Sequence, residues 1–281
     1  MAGSPRDGGE ERQLNLSSLC DKLAAILRRD LLTAIRYRTG FMLAATGALA
    51  ELAAFYYLSR AIGPGFRPEG MGYFPFLLVG TGFYTFLVMG VHSFLAAVQE
   101  AQQNGTLEVL MTTSTPPPVL VFLSAISAFA GNTVNLVFYL VVGLLVFDAP
   151  LRPNLAGCIV IFALSMAIAI AIGIFAAAVQ LATQKGSAVV WALGSGAWFL
   201  TGTMFPVAAL PKTLRYLSGL IPITHSLDGM RLALLQDVPF PVLAHEILIL
   251  ALFSIVLLPS SLAIFSYTLR RARLQGTLSF Y

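Results

Sequence analysis

Long apolar runs alternate with short polar breaks along the whole chain. The runs cover residues 39–59, 73–98, 119–147, 155–181, 187–205 and 241–269. Each reaches or approaches the roughly 20 residues that an α-helix needs to cross a hydrocarbon layer of about 30 Å. None shows the short period-two alternation of a membrane barrel. The pattern predicts an all-α polytopic membrane protein with six transmembrane helices. Ahead of the first run, Leu16, Leu19, Leu23, Leu27, Leu31 and Ile35 fall at spacings of three or four, with Asp21, Lys22, Arg28, Arg29 and Arg36 on other faces. That spacing predicts an interfacial amphipathic helix over 16–38. The expected organisation is a disordered cytoplasmic tail over 1–15, this helix, a transmembrane domain over 39–273 and a cytoplasmic tail over 274–281.

Two polar breaks are longer than connections need to be. The first, residues 99–118, reads QEAQQNGTLEVLMTTSTPPP. Asn104-Gly105 is a turn signal, and Pro116, Pro117 and Pro118 cannot continue a helix from the left. Only a short helix fits between these breakers, with Leu107, Leu110 and Met111 on one side. On spacing alone the segment is either a plain connector or a small docking helix. In the second break, residues 206–240, Pro211 opens a stretch of about eleven residues that Gly219 and Pro222 close. Ile223, Leu227, Met230 and Leu234 then mark one face of a second short helix. Both helices are too short to cross, so they are expected outside, interfacial or re-entrant, as an outer gate or as a passive hairpin.

Composition agrees with the pattern: 57% of residues are hydrophobic, 11% are charged, and the mean hydropathy is +0.81. The net charge of +4 does not point to nucleic acid, because the basic residues stand beside membrane runs. Lys22, Arg28, Arg29, Arg36 and Arg38 precede the first run, and Arg270, Arg271 and Arg273 follow the last. With an even number of crossings, the positive-inside rule places both termini in the cytoplasm of a plasma (inner) membrane. The 99–118 break and Lys185 then face inward, while 60–72, 148–154 and 206–240 face outward. Lys212, Arg215 and Arg231 are the outward exceptions. Cys20 and Cys158 lack metal or disulfide spacing, and the first thirteen residues lack the apolar core of a signal peptide.

No G-x-x-x-x-G-K-[ST] loop occurs, so ATP hydrolysis by that route is not expected of this chain. Nor is there an H-E-x-x-H motif or a close set of acids and histidines, which argues against a membrane enzyme and leaves the catalytic and metal sites blank. The halves show no repeat of the sort that ion-coupled secondary transporters carry. Glu51 and His92 are the ionisable residues at membrane depth, where polarity is costly. With Asn132 and Asn135 they are candidates for a substrate path, although interhelical hydrogen bonding also accounts for such residues, and for Gln180. Ala188, Ala192 and Gly196 form a small-residue ridge for close helix packing.

The segment GTLEVLMTTSTPPPVLVF resembles the cytoplasmic loop of the type-2 ATP-binding-cassette exporter permeases. Its matching residues are Glu100, Gly105, Thr106, Leu107, Glu108, Leu110, Ser114 or Thr115, and Pro116. A second segment resembles the C-terminal signature of the same family through Phe205-Pro206, Leu210-Pro211, Arg215, Pro222, Thr224 and Arg231. The resemblance covers about residues 23–270. It implies a permease subunit whose loop couples to two copies of a nucleotide-binding ATPase subunit. That partner would bind ATP and Mg, and this chain would hold no cofactor. The resemblance further implies pairing with a second copy or a related permease, and contact with membrane lipids. Phe-rich spans poor in charge suggest an amphipathic substrate, a drug-like hydrophobe or a lipid. Export of a lipid-linked glycan is the main alternative, and an ion-coupled secondary transporter a weaker one.

Overall fold

An apolar run in a membrane satisfies its backbone polar groups within one segment only as a helix. A computed structural model describes residues 38–103, 117–149, 151–183 and 185–275, and every regular element among them is helical. The long helices are α1 (Arg38–Ile62), α2 (Tyr73–Gln103), α3 (Pro117–Phe147), α4 (Leu155–Thr183) and α8 (Phe240–Gln275). Between α4 and α8 lie α5 (Ser187–Leu200) and the short α6 (Lys212–Gly219) and α7 (Pro222–Leu235). Among the described residues, three stretches are long and apolar enough to cross a membrane: Tyr73–Glu100, Leu155–Thr183 and Phe240–Ala272. The expected amphipathic helix lies outside the described residues except for Arg38, which opens α1. Residues 104–116 of the first long break also lie outside them.

The helices are not equally buried. In the most apolar window of α2, 83% of residues are buried inside the protein, against 11% in α8. Helix α2 is therefore the packing centre, and α8 turns most of its surface outward. The main core joins α2, α4, α7 and α8 through Phe83, Phe86, Phe94, Ile161, Ile174, Leu227, Leu250 and Phe265. A smaller cluster of Leu52, Phe55, Phe74, Leu77, Leu78 and Tyr139 fastens α1 and α3 to α2. Helices α2 and α3 approach closely because small residues stand at the crossing. A Cβ on Gly82 would lie 2.8 Å from Tyr139 Cδ1, and one on Gly90 would overlap the Phe129 ring.

Two departures from the sequence pattern concern α5. The apolar run continues to Phe205, but the helix stops at Leu200, since Gly202 adopts φ +74° and Pro206 starts a separate 3-10 turn, Val207–Ala209. Within α5, Ala192–Ala197 are π-helical. There the Tyr84 hydroxyl of α2 donates to the Leu193 carbonyl. An inserted donor of this kind competes with the regular ladder and accounts for the wider turn.

The three segments expected to face outward meet at one end of the bundle. Gln236 Nε2 donates to the Glu69 carbonyl at 3.0 Å, and Arg152 N and Asn154 N donate to the carbonyls of Leu234 and Ala233 at 3.0 and 2.8 Å. Asn154 also donates from Nδ2 to the Val238 carbonyl at 2.9 Å.

Candidate functional site

A cavity of about 340 Å³ opens between α1, α2 and α3. Glu51 stands near the middle of α1, Met89 near the middle of α2, and Asn132 near the middle of α3. All three line the cavity together with Asn135, Phe138 and Tyr139. The structure thus gathers Glu51, Asn132 and Asn135 at one place. His92 lies exposed on α2, away from the lining. The next residue, Ser93, accepts a hydrogen bond from Asn132 Nδ2 at 3.2 Å, which fixes the amide across the α2–α3 contact.

Tyr139 forms one wall of the cavity. The Thr81 hydroxyl donates to the Leu77 carbonyl at 2.6 Å, so in the 3.1 Å contact between Thr81 and Tyr139 the phenol is the donor. This pair escaped the sequence reading, because a threonine and a tyrosine in apolar runs carry no signal until α2 and α3 are known to touch.

The second candidate region is the hairpin of α6 and α7, expected from the sequence to form an outer gate. Arg231 of α7 has none of its surface exposed and is the largest fully buried side chain. Its Nη2 donates to the carbonyls of Gly202 and Thr203, both at 2.9 Å, and its guanidinium lies 3.6 Å from the centre of the Phe76 ring. Asp228 is 3.6 Å away, an ion pair too long for a hydrogen bond. Burial lowers the Arg231 pKa to about 10 against the pull of Asp228, so the group stays charged at neutral pH. Burial also lifts the Asp228 carboxyl, with Arg231 opposing. Gly80 makes room for this arrangement, because a Cβ there would overlap the guanidinium and lie 2.7 Å from the Thr203 carbonyl.

The other hairpin residues shape its backbone. Arg215 donates to the Ala208 carbonyl and, at 3.3 Å, to the Leu210 carbonyl, holding the 3-10 turn against α6. Pro206 precedes that turn, Pro211 caps α6, and Pro222 opens α7. Phe205 is half-buried in the link. Ser218 donates to the Leu200 carbonyl at 2.6 Å, and Thr224 to the Ser218 carbonyl at 2.9 Å. A further tie went unseen in the sequence. His225 Nδ1 lies 2.8 Å from Glu246 Oε2 of α8, and its Nε2 lies 3.0 Å from the Gly219 carbonyl. The Glu246 hydrogen bond raises the His225 pKa, burial opposes it, and the Gly219 carbonyl adds to the rise.

Of the expected ATPase-coupling residues, Glu100 lies exposed in the last turn of α2. Gly105, Thr106, Leu107, Glu108, Leu110 and Pro116 lie outside the described residues. A family model described as "ABC-2 family transporter protein" matches residues 53–263. Comparison with curated proteins gives no match.

Proposed function

The chain belongs to the ABC-2 family of transporter proteins, and from that premise we propose that it is the permease subunit of an ATP-driven exporter. It works as one of two membrane subunits, with two copies of a separate nucleotide-binding ATPase docked below. Six segments cross the membrane, α1 to α4, α5 together with the link that continues it over residues 201–205, and α8, and both termini lie in the cytoplasm. The basic residues flanking α1 and α8 support that orientation. The contacts among Glu69, Arg152, Asn154 and residues 233–238 at one end support the alternation of crossings.

The cavity at the middle of α1, α2 and α3 carries the functional reading. A carboxylate and two amides at hydrocarbon depth are costly unless they meet each other or a ligand. Here they line one space walled otherwise by rings, aliphatic side chains and a thioether, the surroundings expected of a site for amphipathic substrates. Closure of the ATPase pair would push the 104–116 segment against α2 and α3, and both helices border the cavity. The outer hairpin, pinned by Arg231, is the gate that this motion has to release.

The reading is tested by topology. Single cysteines at Gly105, Lys185, Gly65 and Lys212, in a background lacking Cys20 and Cys158, are exposed to an impermeant thiol reagent in intact cells. Labelling at Gly65 and Lys212 alone is expected. Strong labelling at Gly105 overturns the orientation and the docking scheme.

A further inference from the structure

The cavity between α1, α2 and α3 holds one charge and nothing of opposite sign. Among the described residues that line it, Glu51 is the only carboxylic acid and none is a lysine, arginine or histidine. Among the described residues Glu51 forms no ion pair. The contrast with the rest of the molecule is plain. Glu246 is held by His225 at 2.8 Å, and Asp228 stands beside Arg231. Glu51 has no such partner among the described residues.

We propose that this cavity binds lipophilic organic cations, with Glu51 as the counter-charge that selects them. The inference rests on the exporter reading and narrows its substrate class. An isolated carboxylate at this depth is expensive, and an incoming cation repays part of that cost. The walls decide which cation. Phe138 and Tyr139 put aromatic rings in the lining, Phe86 stacks on Phe83 and Phe162 behind it, and Met89 is a pliable thioether that adapts to irregular ligands. A cation whose charge is spread beneath aromatic or alkyl groups loses little hydration on entering such a space. An inorganic divalent ion would need about six or more oxygen ligands. The lining supplies one carboxylate, two amides, a threonine and a tyrosine hydroxyl, and the tyrosine donates its proton to Thr81. A volume of about 340 Å³ suits a molecule of three or four rings rather than a long-chain lipid. Asn132, tied to Ser93, and Asn135 then orient polar substituents at the rim.

The test compares two probes of nearly one shape, methyltriphenylphosphonium and neutral triphenylphosphine oxide. Equilibrium binding of each is measured to the full chain in nanodiscs, in the wild type and in Glu51→Gln, Glu51→Asp and Asn135→Leu. The wild type is expected to bind the cation more tightly than the oxide. Glu51→Gln should lose about tenfold or more in cation affinity, as removal of a partly desolvated charge partner does. Binding of the oxide should change little in the same variant, which also shows that the cavity is intact. Glu51→Asp should recover part of the cation affinity. Asn135→Leu should weaken the oxide, whose oxygen can accept from the amide, more than the cation, which has no polar substituent.

Equal affinity of the wild type for the two probes overturns the proposal. So does a Glu51→Gln variant that binds the cation as tightly as the wild type, or one that loses both probes together. These outcomes are separate from failure of the exporter reading, which thiol labelling decides without any ligand. Correct topology with no preference for the cation leaves an exporter whose cavity takes neutral substrates.

Discussion

At the residue scale, Arg231 shows how one side chain can fix a region that its own helix does not contain. Its guanidinium joins α7, the carbonyls of Gly202 and Thr203, and the Phe76 ring of α2. Arg231→Met removes a buried charge, leaves two buried carbonyls without their donor and strands Asp228. A loss of about 3 kcal/mol is expected. Gly80→Ala, on a different helix, should lower thermal stability in detergent in the same direction, because its Cβ occupies the guanidinium's place. Unchanged melting in both variants would show that the hairpin is held by other contacts. His225 gives a pH dependence. Its pKa is raised above the ordinary value of about 6.5. The folded state therefore binds the proton more tightly than the unfolded chain. The resulting stability is complete below about 6.5 and fades as pH rises through the raised value. Asp228, lifted to about 7, has the same sign. Melting temperature should therefore fall as pH rises from about 4 to 7 through Asp228 and again above about 6.5 through His225, and His225→Gln should flatten the second part of that slope. A slope identical in the variant would assign the whole effect to Asp228 and other groups.

At the element scale, sequence periodicity located the helices and missed the early end and the π-helical stretch of α5. Apolar runs set by membrane thickness are plain in any sequence, and helices α1 to α4 and α8 lie over them with ends shifted by a few residues. The two short helices α6 and α7 were also legible, since Pro211, Gly219 and Pro222 punctuate them and Ile223, Leu227 and Met230 mark the buried face of α7. The end of α5 at Leu200 was not, because the carbonyls of Gly202 and Thr203 are held by Arg231, distant in the chain. The π-helical stretch has a similar origin in Tyr84. Tyr84→Phe removes the donor to the Leu193 carbonyl, which can then rejoin a regular helical ladder. A loss of about 1 kcal/mol is expected by thermal unfolding, well below that of Arg231→Met. A loss as large as that of Arg231→Met would mean that the bond anchors α5 to α2. The candidate site was legible by residue type alone. Glu51, Asn132 and Asn135 stood out as polar groups in apolar runs, but their meeting depends on which helices touch, and so does the exclusion of His92.

At the scale of the whole molecule, the chain is a helical transport subunit of a family whose permeases generally work with an ATPase. Coupling would enter through residues 104–116, between the two helices that border the cavity. Leu107→Asp replaces one of the leucines expected to form the contact and should release the ATPase, while Glu108→Arg should weaken coupling less because a solvated rim charge contributes little. Neither residue lies in an apolar run, so insertion of the chain should survive both changes. The most direct measurement is the composition and ATP hydrolysis of the particle purified from its own membrane through a tag on this chain. Two copies of the chain with two copies of an ATPase subunit are expected, with hydrolysis present only in that particle. The same preparation from Leu107→Asp should yield the inserted chain stripped of its partner and inactive. ATP hydrolysis by the isolated chain, or a Leu107→Asp particle that keeps both partner and activity, would contradict this account.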